Sequence, residues 1–209
     1  MSTASAPRTA RRRYLGVAPE QRQARRRERL LQAGVVVFGR RGFHAATVRE
    51  ICAEARLTER YFYESFAGMD ALFAAVYGHV LDELRRRTAQ ALQQAPLEPL
   101  ALAKTALRVF FEFVREDPAR ARVALVDAMN VSPEVRAMSS ASNQEYAGLA
   151  RQYVEARVAG REAGIDPDLL AAGLIGLNVH IAIAWVLDGC RTPVEQVVQT
   201  ALVAYQGLR

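Results

Sequence analysis

Residues 47–66, TVREICAEARLTERYFYESF, constrain this chain more than any other stretch. Thr47 followed three residues later by Glu50 is a capping box, so a helix is expected to start there. Val48, Ile51, Cys52 and Ala55 recur at spacings of three and four, which gives that helix one narrow apolar face. Arg56-Leu57 interrupts the run, and Thr58 stands where it would cap a second helix beginning at Glu59. On that helix Phe62 and Phe66 lie four apart and should face inward, leaving Glu59, Arg60, Tyr61 and Tyr63 outward. Two short helices joined by a turn of about three or four residues form the unit whose second helix fits the DNA major groove. A DNA-binding regulator is the expectation that follows.

The distribution of charge agrees with it. Of the 209 residues, 1–66 hold 14 Arg against 6 Glu, whereas 67–209 hold 14 Lys and Arg against 16 Asp and Glu. A basic head on a near-neutral body is the footprint of a DNA binder, because phosphate neutralisation supplies most of the non-specific affinity. An Arg-rich coding bias accounts for Lys104 being the only lysine, but not for the asymmetry.

The stretch 29–76 resembles the N-terminal domain of TetR-family transcriptional repressors. RLLQAGVVVFGRRGFHAATVREI, AEARLTERYFYESF and DALFAAVY carry the likeness. The family pattern runs from a helix ending in Leu-Phe through an Arg-Gly-aromatic turn to an aromatic-rich recognition helix ending in Phe. The resemblance covers roughly a quarter of the chain; the remainder resembles the family only in helical character and length. It implies that Tyr63 contacts a phosphate, with Thr47 at the first cap doing the same. Arg60 and Tyr61 are the candidates for base edges, Arg60 being suited to a bidentate contact with guanine, and Arg49, Thr58 and Glu59 complete the candidate DNA contacts. Two positions depart from the pattern. Gly68-Met69 stands where a Ser-Lys pair is usual, which removes a cation from a phosphate contact. Arg56 stands where glycine is common, so a positive φ there would carry strain.

No strand signal competes anywhere, so an all-α fold of about nine helices is expected. Residues 1–18 read as a disordered basic arm, in which RTARRR at 8–13 either follows the DNA backbone or is an idle tail. Residues 19–68 form the expected helix-turn-helix domain, beginning with a helix at Pro19 that is polar to Arg29 and closes near Gly39 and Gly42. Gly34 in its middle implies close helix packing. Residues 69–209 form the expected ligand-binding and dimerisation domain. Its first helix runs to about Leu92, with Ala71, Leu72, Ala75, Val76, His79 and Val80 on the inner side. Helices then follow over about 100–115, 118–129 and 133–163; Asp166-Pro167 opens an apolar one, and Thr192 with Glu195 reads as the capping box of the last.

The last two helices are too apolar for a monomer surface. Leu174, Leu177, Ile181 and Trp185 on one, with Val197, Val198, Ala201, Leu202 and Tyr205 on the other, are the candidates for a two-fold dimer interface. The resemblance implies such a four-helix interface, and also a cavity in the body. Candidates for the cavity lining are Phe110, Phe113, Met129, Tyr146, Tyr153, Asn178, His180 and Trp185, although for each taken singly ordinary core is the stronger reading. Asn178 and His180 stand out because buried polar groups need partners. The composition suggests a mainly apolar effector, although Glu112 or Asp127 would favour a cation.

Residues 169–187 carry no charge and are long enough to span a membrane, but Asn178, His180 and the bracketing Asp168 and Asp188 favour a buried or interfacial helix. There is no apolar segment of a secretory signal before Tyr14, and a cytoplasmic protein is expected. Cys52 and Cys190 have no metal-ligand spacing, and no metal or cofactor is expected. His44, His79 and His180 fall in different elements without a nucleophile or phosphate loop, so an enzyme is not expected. The leading reading is a homodimeric repressor released from a palindromic operator by a small molecule. An effector-independent DNA-bound structural or partner-binding protein is the alternative.

Overall fold

The computed structural model describes residues 19–128, 131–158 and 164–207, and every regular element among them is helical. Helix α1 (Pro19–Arg41) buries Leu30, Leu31, Ala33, Val37 and Phe38, all in its C-terminal half. Its N-terminal half is polar and lies on the surface. Gly42, at φ 75°, terminates it in the left-handed conformation that glycine adopts at little cost. Helix α2 (Val48–Ala55) starts with the expected capping box: the Glu50 amide donates to Thr47 Oγ1 at 3.2 Å and the Thr47 amide donates to Glu50 Oε2 at 3.0 Å. Arg56 closes α2 at φ 52°, ψ 46°, so the turn does place a bulky residue in the left-handed region.

Helix α3 (Glu59–Ser65) follows at once. Thr58 occupies its cap position, but its hydroxyl makes no capping bond, so the turn is held by backbone contacts and packing instead. Phe62 and Phe66 are buried against α1 and α2, as their spacing predicts. Helix α4 (Met69–Gln93) leaves the head and enters the body. Its inward residues differ from the expected set. His79 is exposed, whereas Phe73 and Tyr77, one turn apart, are buried, and Phe73 meets Phe38 and Phe43 edge-on at 5.1 and 5.2 Å. Gly34 is required where α1 crosses α4: a Cβ there would lie 2.7 Å from Val76 Cγ2.

The body comprises α5 (Pro99–Glu116), α6 (Pro118–Arg122), α7 (Pro133–Val158), α8 (Pro167–Leu187) and α9 (Val194–Gln206). Instead of continuing as one α-helix to residue 129, α6 passes after one turn into a π-helical turn at Val123–Asp127. Asp117 caps α6 by accepting from the amides of Ala119 and Arg120, and Asp166 caps α8 in the same way, with Pro167 at the first helical position. The box expected at Thr192 does not form. Pro193 takes the cap position, and Glu195 is drawn instead to Arg108 and Lys104 on α5.

Two large apolar cores result among the described residues, beside a small cluster of Val80, Leu84 and Phe113. One joins α1 to α4 and takes in Val123, Ala128 and Val135 from the body. The other joins α5, α7, α8 and α9. Gly39 of α1 rests directly on Ala119 of α6, where a Cβ would come within 2.4 Å of the Ala119 Cα.

Candidate nucleic-acid interface and internal cavity

The cap and packing residues of α2 and α3 leave one face of the head open to solvent. Thr47, Arg49, Thr58, Glu59, Arg60 and Tyr63 all lie on the surface. The Arg60 side chain is 84% exposed, and its Nε donates to Glu64 Oε1 at 2.9 Å, an i,i+4 pair that orients the guanidinium along the helix. Tyr61 departs from the outward set. It is half-buried because Arg26 of α1 stacks on its ring at 4.4 Å. Arg27 stacks on Phe66 at 4.9 Å, and the Arg29 guanidinium donates to the Ala55 carbonyl. The arginine run of α1 therefore both braces α3 and continues its basic surface through the exposed Arg22 and Arg25. Only the charge count hints at these two; no periodicity points to them.

The body holds a partly open cavity of about 810 Å3 between α4, α5, the π-turn, α7 and α8. Phe110, Phe113, Tyr146, Tyr153 and Asn178 line it. His180 does not: it lies one turn-fraction around α8 from Asn178 and faces solvent. Trp185 is buried away from the wall, where its indole N–H donates to the Thr192 carbonyl at 3.0 Å. Met129 lies outside the described residues. Tyr77, Val80 and Leu84 of α4 and Ala124 and Leu125 of the π-turn also line the cavity. Periodicity marks them as inward but cannot separate a wall from a core. Among the described residues no charged side chain lines the cavity, Glu112 and Asp127 included, which removes the basis for a cationic effector.

The polar groups of the cavity are neutral and tied together. Asn178 Nδ2 donates to the Tyr205 hydroxyl at 2.8 Å, and the Tyr153 hydroxyl donates to the Tyr205 carbonyl at 2.7 Å. Burial pushes the Tyr205 phenol above its ordinary range, and the Asn178 contact offsets part of that. Tyr146 is likewise raised by burial, partly offset by the nearby Thr88 hydroxyl. Neither the Tyr146 hydroxyl, despite the neighbouring Thr88, nor Asn178 Oδ1 makes a hydrogen bond of good geometry.

The cavity and the head meet at the π-turn. Asp127 and Arg122, at its two ends, face each other at 3.9 Å beneath Gly42, which would carry a Cβ only 2.9 Å from the Arg122 guanidinium. Burial holds the Asp127 carboxyl above the usual carboxylate range, opposed by Arg122, the Phe43 amide and His44.

The residues expected at a dimer interface divide. Leu174, Trp185, Val197, Val198, Ala201, Leu202 and Tyr205 are buried within the protomer, because the α9 stripe packs on α5 and the inner face of α8. Leu177 and Ile181 reach the surface of α8 with Leu169, Gly173, Gly176 and Leu187. Helix α8 is long and apolar enough to cross a membrane, with mean hydropathy 2.0, yet only 28% of that window is buried. Burial raises both the Cys52 and the Cys190 thiols, so neither is an activated nucleophile.

The head and body together define a helix-turn-helix DNA-binding transcriptional regulator. Residues 30–76 match the bacterial regulatory proteins of the tetR family. The chain is 26% identical over 187 residues to the uncharacterized HTH-type transcriptional regulator YdgC of Bacillus subtilis (strain 168), spanning 87% of this chain and 92% of that one. It is 26% identical over 163 residues to the HTH-type transcriptional activator FasR of Mycolicibacterium smegmatis, spanning 77% and 72%. Its fold matches FadR of Bacillus subtilis, solved in complex with stearoyl-CoA, with a TM-score of 0.74 at 14% identity over 85% of this chain and 96% of that one. Residues 30–76 are thus a helix-turn-helix region of the tetR type, and the chain over most of its length is similar to bacterial transcriptional regulators.

Proposed function

We propose that this regulator is a cytoplasmic homodimeric repressor, released from a palindromic operator by a small, mainly apolar effector held in the body. Residues 19–68 serve as the DNA-binding domain and 69–209 as the ligand-binding and dimerisation domain. The observation that carries the reading is the uncharged cavity whose wall includes Ala124 and Leu125 of the same π-turn that holds Asp127 and Arg122 against the head. In the head, Arg60 reads a base edge, Tyr63 and Thr47 hold phosphates, and Arg49, Thr58 and Glu59 flank them. Tyr61, stacked under Arg26, supports the recognition helix and reaches the DNA only with its edge.

Two copies related by a two-fold axis pair through the outward apolar side of α8 and present their α3 helices to half-sites about one helical turn or a multiple apart. A ligand that fills the cavity moves the π-turn and α4 together, changes the spacing of the two heads and lowers affinity for the operator. The sign of regulation follows from operator position; an operator that overlaps the promoter is blocked by the bound dimer.

Fluorescence anisotropy with DNA flanking the protein's own gene, across a salt series and beside a scrambled duplex, tests the reading. The expected result is a steep salt dependence with a preference of at least about a hundredfold for one palindromic segment. Equal affinity for both duplexes would leave a non-specific clamp. Specific binding that no cavity-filling molecule alters would favour the effector-independent alternative.

A further inference from the structure

The cavity carries more chemical information than its size. Its two walls differ. The α4–α5 side is apolar apart from Thr88 and Tyr77, with Val80, Leu84, Phe110 and Phe113, whereas the α7–α8 side sets Ser139, Ser142, Asn143, Tyr146 and Asn178 among the apolar Leu149, Ile175, Val179 and Ile183. On α7 the polar positions are three, four and seven residues apart, so they form one stripe along the helix. All of these groups are uncharged. An ionised ligand group placed there would lose its hydration without gaining a counter-charge, which costs several kcal/mol in a protein interior.

Asn178 is the sharpest feature of that wall. It is 6% exposed, and its amide nitrogen is committed to the Tyr205 hydroxyl. Tyr205 is itself buried, and its carbonyl accepts the Tyr153 hydroxyl, so α7, α8 and α9 are stitched together behind the amide. The side chain is thereby anchored through Nδ2, and its Oδ1 is left buried without a partner in a residue that lines the cavity. A buried acceptor without a donor is costly, and this one is preorganised for a donor that the chain itself does not supply. The Tyr146 hydroxyl is a second unpartnered group on the same side.

We infer that the effector is an uncharged, predominantly apolar molecule bearing a hydroxyl or amide group that donates a hydrogen bond to Asn178 Oδ1, with the Tyr146 hydroxyl available to a second polar atom. This inference rests on the cavity being the effector site, and it adds the chemical class that the site selects. Asn178 sets specificity and the α4–α5 wall supplies most of the affinity.

The test uses displacement of N-phenyl-1-naphthylamine from the full-length protein by three competitors: 1-decanol, its isomer 1-methoxynonane, and decanoate at pH 8. One hydrogen bond is worth about 0.5–1.5 kcal/mol, so 1-decanol should bind up to about tenfold tighter than the isomeric ether, which has the same atoms but no donor. Decanoate should bind more weakly than the alcohol. In Asn178→Leu the alcohol and ether should bind equally while the dye still binds. Asn178→Asp, which keeps the side-chain shape, should instead gain affinity for decylammonium. Unchanged alcohol preference in Asn178→Leu, tighter binding of decanoate than of decanol, or no gain of decylammonium by Asn178→Asp would each overturn the inference. Dye that enters and alters operator affinity, but with no alcohol preference, overturns this inference alone. Failure of the dye to enter the wild-type cavity overturns the effector-site reading and this inference with it.

Discussion

Arg60 and Tyr63 are neighbours on one short helix, yet their substitutions should read differently. Arg60 extends from the surface on a single exposed ion pair to Glu64, so it can exchange that carboxylate for the edge of guanine. Arg60→Ala should therefore relax preference at one base pair by about 1–3 kcal/mol. Tyr63→Phe removes only a hydroxyl suited to a phosphate and should weaken every duplex alike. Competition binding on matched and singly mismatched operators separates the two, and equal losses for Arg60→Ala on all duplexes would remove it from base reading. Arg56 makes a different prediction. Its left-handed backbone costs a residue with a Cβ about 1–2 kcal/mol, part of which glycine returns through its greater freedom when unfolded. Arg56→Gly should raise the urea midpoint of unfolding while leaving the fold unchanged.

At the scale of elements, the contact between α1 and α6 is backbone-close. Gly39→Ala must push a methyl into the Ala119 backbone, which no side-chain rotation can relieve. The substitution should cost about 1–3 kcal/mol and reduce the effect of a cavity ligand on DNA binding, both read from one protein preparation. An unaltered ligand effect would move the coupling to α4 alone. Asp127 adds a pH dependence. Its carboxyl binds a proton more tightly in the folded chain than its ordinary value of 3.8. Such a group gives stability that is fully present below the unfolded pKa and is lost as pH rises through the folded one. Wild type should therefore lose stability as pH rises from about 4, just above the ordinary carboxylate value, and Asp127→Asn should flatten that segment of the curve. Denaturant midpoints at stepped pH measure it.

For the whole molecule, the deciding surface is the outward side of α8. Leu169 and Leu187 stand 73% and 74% exposed near its two ends, with Gly173, Gly176 and Leu177 between them. A mainly apolar strip of that length, interrupted by His180, fits a second copy of the same helix on a DNA-binding protein, since the small residues let two backbones approach. Leu177→Arg, placed near the centre of the strip, should convert the proposed dimer to monomer in analytical ultracentrifugation and abolish binding to a full operator. A variant that remains dimeric would place the two-fold axis elsewhere.

The head was legible because its information is local. The Thr47–Glu50 box and the Phe62–Phe66 spacing each lie within a few residues of chain, and each appears in the structure, whereas the positive φ of Arg56 was suggested only by the resemblance. The all-α class and the cap of α8 at Asp166 were equally local. What tertiary structure alone decided is which neighbour each apolar stripe meets. Periodicity marked α9 as half apolar, but only folding turned Val197, Val198 and Leu202 into the protomer's own core and left Leu177 outside. The same holds for Asn178 and His180, two residues apart, one on the cavity wall and the other in solvent. It holds also for the π-turn, which no spacing announced and which follows the turn of α6 that rests on Gly39. Local sequence determines which backbone conformations are favourable, whereas burial depends on partners remote in the chain, and those are chosen by the packing of the whole.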